Sequence, residues 1–95
     1  MGPAHPPEII LEPTLSHCIE ALAREEFERL KRSLIESESG DETIATRLEI
    51  LRSFLVSTDF PRLRGAYEPH LTQGRQVRFV IWQEGERAAF RVKVI

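Results

Sequence analysis

Few side chains in this chain can do chemistry, and their spacing limits what they can do. His17 and Cys18 are neighbours in sequence. On a helix, adjacent side chains point about 100° apart, so the two do not converge on one ion. Zinc takes three or four converging ligands, and His5 and His70 would have to complete the set from distant segments. Cys18 reads more simply as an apolar residue at the edge of a helical stripe. A nucleophile built from Cys18 and His70 lacks the third, orienting group and the oxyanion pocket that such a pair needs. Glu26 falls within the apolar stripe of a helix, between the azimuths of Ile19 and Leu22. A carboxylate buried there would carry a raised pKa or a basic partner. The expectation is that it reaches water or pairs with an arginine of the C-terminal hairpin, because an unpaired buried Glu is rare. The sequence has no glycine-rich phosphate loop, nucleophile elbow or His-Glu metal helix. No metal, no cofactor and no enzymatic activity are expected.

The second set of residues offers binding rather than bond-making. Residues 61–95 hold seven basic side chains against three acidic ones, whereas residues 1–60 hold six against twelve. The net charge of −2 therefore conceals an acidic first part and a basic last part. Arg78, Trp82, Arg87, Arg91 and Lys93 fall on one face of a terminal hairpin. Basic residues around an aromatic on an exposed sheet can hold phosphates while stacking a base. Common RNA-binding sheets use two or three aromatics, and this face offers one. Aromatic and Arg side chains also anchor protein interfaces. The expected function is a small, non-catalytic protein–protein interaction or regulatory module that self-associates as a homodimer. The alternative is nucleic-acid binding through the same basic face, and the acidic pI near 5.9 argues against a general nucleic-acid coat protein.

The elements that must position these residues follow from periodicity. Pro3, Pro6, Pro7 and Pro13 exclude a helix from the start of the chain, and residues 1–7 are expected to be a mobile, Pro-rich lead. Glu8 to Glu12 form a short β-favouring run, expected as an arm packed on its own chain or as a third strand on a sheet edge. Thr14 or Ser16 can cap a first helix whose stripe runs through Leu15, Ile19, Ala23, Phe27, Leu30 and Leu34. Glu20–Arg24, Glu25–Arg29 and Glu28–Arg32 lace its outer side in the favourable order. The helix should stop at Ser37-Glu38-Ser39-Gly40. Asp41 caps a second helix with a seam at Ile44, Leu48, Leu51 and Leu55, widened by Phe54. A short link makes the two helices antiparallel. Thr58 or Asp59 caps a short third helix from Pro61 to about Tyr67, with Pro69 blocking extension.

The period then changes to two. Val77, Phe79 and Ile81 alternate with Arg78, Val80 and Trp82, and later Ala88, Phe90, Val92 and Val94 alternate with Ala89, Arg91, Lys93 and Ile95, around a glycine-containing turn. With Glu84-Gly85 as the loop, Phe79 faces Phe90, Val77 faces Val92, and Arg78 faces Arg91. One face is then wholly apolar and must pack on the helices. The fold class is α+β: two antiparallel helices and a short third helix on one face of the hairpin, extended by an N-terminal strand or by dimerisation. Residues 8–95 make one such domain, since 95 residues leave no room for a second core. A single cysteine excludes an internal disulfide. Without a signal-peptide pattern, a membrane-length apolar run or a fitting myristoylation motif, the expected location is the cytoplasm, with no membrane partner.

Overall fold

The computed structural model describes residues 7–37 and 40–95. Most of the expected Pro-rich lead, with His5, lies outside the described residues, as do Glu38 and Ser39 of the expected helix stop. Strand β1 (Glu8–Leu11) is followed by helices α1 (Ile19–Glu36), α2 (Glu42–Ser57) and α3 (Phe60–Thr72), then by strands β2 (Val77–Glu84) and β3 (Arg87–Val94). The strands form one antiparallel sheet in the order β1-β2-β3. The helices cover one face of it, which makes the fold α+β. The Ile-Ile-Leu run at the start is thus a strand on its own chain, closing the β2 edge that the hairpin alone would leave open.

The hairpin loop is Gly85-Glu86, one residue later than the spacing suggests, because Glu84 pairs with Arg87. Gly85 has φ +64°, and in a two-residue loop beginning with glycine this conformation belongs to the first central position. The shift moves each partner by two residues, so the faces survive while the pairs change. Phe79 meets Val92, Ile81 meets Phe90, and Arg78 meets Lys93 rather than Arg91.

Burial is uneven across the apolar face. Val77, Phe79 and Ile81 on the central strand are buried, but Phe90 is 40% exposed and Val94 37% exposed. The expectation that the whole apolar face packs on the helices therefore fails at Phe90 and Val94 of β3, while Ala88 and Val92 pack partly on the core. That strand is the open edge, and the helices do not reach fully across it. With a radius of gyration of 14.2 Å, the molecule is more elongated than a compact domain of this length, for which about 12 Å is usual.

The helices depart from the periodicity in instructive places. Leu15 is exposed and precedes α1, because Thr14 closes a local turn by accepting from the backbone N–H groups of Ser16 and His17. Cys18 is the N-cap and offers no side-chain cap. Instead, the buried Tyr67 hydroxyl on α3 accepts from the Ile19 N–H at 3.1 Å, so a distant side chain satisfies one orphan donor. Asp41 and Asp59 cap α2 and α3 through the N–H groups of Thr43 and Arg62. In α2, Ile50 is buried beside Leu51 and Phe54, a broader face than the expected seam, because the helix packs against both α1 and the sheet. α3 continues through Pro69 to Thr72, beyond the expected end near Tyr67. A proline so near the C-terminus removes one backbone bond, and Leu71 beyond it packs on the core.

Replacing Phe79 by Ala is expected to lower unfolding free energy by about 3–5 kcal/mol in denaturant titration, and Val94→Ala by under about 1 kcal/mol. Equal losses at the two sites would contradict the asymmetric core. Tyr67→Phe keeps the ring and strands the Ile19 N–H, with an expected loss of about 1–3 kcal/mol.

Candidate functional site

The five hairpin residues singled out by charge and aromaticity share the outer face of the sheet, away from the helices. Register places Trp82 between Glu8 and Ala89, and Val80 between Ile10 and Arg91. Arg78 lies across from Lys93. β1 changes the electrostatics of this face. Glu12 pairs with Arg78 at 3.4 Å, and Glu8 lies opposite Trp82. The sheet face is therefore mixed rather than uniformly basic on its β1 side, and its unneutralised charge concentrates on β3. Arg87, Arg91 and Lys93 are exposed and have no ion-pair partner among the described residues. Arg87, at the hairpin end of this face, also borders the helical side of β3.

That side holds a groove of about 930 Å³ between the end of α2, the start of α3 and β3. Its floor is Phe90, Val92 and Ala88 from the strand, and Leu63 and Ala66 from α3, with Val56 on the α2 wall. Arg52, Arg62 and Arg87 stand at its rim together with Asp59 and Glu86. The local cause is geometric. α2 packs on β3 but ends at Ser57, and α3, starting at Phe60, makes its main sheet contact with β2, so a groove remains between the two helices over β3. Val56 is 82% exposed on this wall, an apolar side chain left in water.

The backbone of β3 adds a second feature. Ile95 donates its N–H to Gln76 at 2.9 Å, so residues of the same parity turn their polar groups toward β2. Ala88, Phe90, Val92 and Val94 consequently aim their N–H and C=O groups outward, along the free edge. Their side chains point to the groove side of the sheet. Open hydrogen-bonding edge and apolar floor thus share three residues, Ala88, Phe90 and Val92. Sequence reasoning missed this site because it is made between three elements, α2, α3 and β3. The signal available was Val56, which does not fit the seam of α2.

The remaining reactive candidates do not assemble. No group of three or more His, Cys, Asp or Glu able to hold a metal exists among the described residues. Glu26 pairs with Arg29 of its own helix, not with an arginine of the hairpin. Cys18 lies beside a small hollow of about 240 Å³ that also includes Arg64 and Tyr67. The Ala21 backbone N–H holds its thiol below the ordinary range; burial opposes this, and the Arg64 guanidinium reinforces it.

Residues 8–93 match the model of an uncharacterised protein family, and the chain belongs to that family. No curated protein and no solved structure matches it. No helix among the described residues is long and apolar enough to cross a membrane.

The lowered thiol is directly measurable. Alkylation of Cys18 by iodoacetamide should reach half its limiting rate at a lower pH than for free cysteine, because the thiolate is the reacting form. Arg64→Ala should move that midpoint upward only part of the way, since the Ala21 amide remains. A midpoint at or above that of free cysteine would contradict the arrangement.

Proposed function

We propose that this protein is a non-catalytic protein–protein interaction module of the cytoplasm, and that its partner binds at the α2–α3–β3 groove. The observation that carries this reading is the coincidence of an apolar groove with a strand edge unpaired among the described residues, on Ala88, Phe90 and Val92. Exposed apolar surface rimmed by polar side chains is the chemistry of a protein contact. Phe90 and Val92 supply the floor, and Arg52, Arg62 and Arg87 supply the long, planar donors favoured at interface rims. The lining is built for adhesion: carbon at the centre and charge at the margin.

Nucleic-acid binding through the outer face has less support than the bare sequence gives it. Glu8 of β1 and Glu12 just beyond it stand on that face, and a phosphate approaching Arg78 must displace an existing carboxylate. Each acid on the face also reduces the counterion release from which such binding draws its affinity.

A photo-crosslinking amino acid placed at Ala66, an exposed groove position, should yield adducts in cells expressing the full chain. Mass spectrometry should identify them as one or a few defined proteins. The same label at Glu25, on the far side of α1, should not capture them. Adducts dominated by nucleic acid, or equal capture from both positions, would overturn the reading.

A further inference from the structure

The interaction reading leaves open what occupies the groove, and the charge on β3 narrows it. Every charged side chain on the outer face of β3 is basic: Arg87, Arg91 and Lys93. A second copy that continued the sheet through β3, with its helices on the same side, would set these residues against their own kind. Like charges directly opposite in neighbouring strands are destabilising. Edge lysines and arginines are a common guard against self-pairing of this sort.

The chain also contains an example of a strand that this sheet accepts. β1 turns Ile9 and Leu11 to the core and Glu8 to the outer face. Glu12, just beyond it, neutralises Arg78 at 3.4 Å. Carbon inward, with Glu8 and Glu12 flanking an exposed Ile10 outward, is the pattern that meets the β1 side of β2. The free side of β3 asks for the same pattern. It presents unpaired backbone groups on Ala88, Phe90, Val92 and Val94, an apolar groove beneath them, and unneutralised Arg91 and Lys93 above.

Resting on the interaction reading, the geometry points to strand addition: the partner supplies an extended segment of alternating apolar and acidic residues, which pairs antiparallel with β3 as a fourth strand. Its apolar side chains fill the groove over Phe90 and Val92, and its carboxylates meet Arg91 and Lys93. Main-chain bonds would supply affinity, and the alternate side chains would supply selection. The antiparallel sense follows the sheet, since purely antiparallel sheets are favoured over mixed ones.

The test uses the full chain and a fluorescent synthetic peptide alternating valine and glutamate, read by anisotropy. The expected result is saturable binding, about tenfold tighter than for a peptide with lysine in place of glutamate. The combined variant Arg91→Glu and Lys93→Glu should reverse that preference, a gain that a misfolded protein would not show. N-methylation of the valine amides should abolish binding, because those N–H groups face β3 in an antiparallel pair, whereas methylation of the glutamate amides should be tolerated. Binding indifferent to the position of methylation would overturn strand addition while leaving the groove as a protein site. No preference between the glutamate and lysine peptides would overturn the acidic partner. A dimer in sedimentation that Phe90→Glu dissolves would show that a second copy takes the edge, which also overturns the proposal. Loss of protein crosslinks from Ala66 would instead remove the interaction reading itself.

Discussion

A chain of five aromatic rings holds the helical layer to the sheet, and the rest of the structure depends on it. Phe60 at the start of α3 meets Phe54 of α2 edge-on at 5.5 Å. Phe54 meets Phe90 of β3 at 5.8 Å, and Phe90 lies 6.2 Å from Phe79 of β2. Phe79 meets Tyr67 edge-on at 5.2 Å, which returns the chain to α3. The Tyr67 hydroxyl then caps the first N–H of α1. Edge-to-face pairs contribute about 0.5–1.5 kcal/mol each beyond their buried area, and their geometry is directional. The sequence therefore fixes three helices to two strands with five residues, and the loop lengths have to accommodate that arrangement.

Much of this was legible from residue order, because helix periods, capping aspartates and period-two strands are local signals. Asp41 and Asp59 announce α2 and α3 on their own. The alternation from Val77 onward determines which side chains share a face, and a shift of the loop to Gly85-Glu86 leaves those faces intact. The failures share a different cause. Leu15 fits the apolar rhythm of α1, yet the Thr14 hydroxyl bonds hold that segment in a turn. The end of α3 overrides Pro69 because Leu71 gains core contacts. Ile50 is buried because α2 lies between two neighbours, which no single-helix pattern encodes. The five outer-face residues were found together by alternation alone. The groove was not, since it lies between two helices and a strand, which no single-element pattern encodes.

Charge segregation along the chain is likewise only partly a property of the folded surface. The acidic first part sends β1 into the basic sheet, and Glu12 comes to rest on Arg78. Both side chains of this pair remain substantially exposed, so its contribution to stability is small, under about 1 kcal/mol. Its effect on the electrostatic field is larger than its effect on stability. One side of the central strand is neutralised, and the positive charge that remains lies along β3.

An open strand edge exposes unpaired backbone groups, and the usual remedies are shortness, proline, a covering element or charge. β1 is short and lies between prolines, Pro7 and Pro13, which suits a terminating edge. β3 runs for eight residues with no proline and keeps Phe90 and Val94 partly in water. Among the described residues, its guard is basic charge. Charge differs from the other remedies in being selective: it repels a copy of itself and attracts a strand of opposite sign. Phe90 makes the edge part of the core as well as of the groove, because the same ring that floors the groove packs on Phe54 and lies near Phe79. Whatever fills the groove therefore presses on the aromatic chain that joins the layers. Occupancy there buries the least covered part of the core, so binding and folding stability are coupled at this edge by mass action.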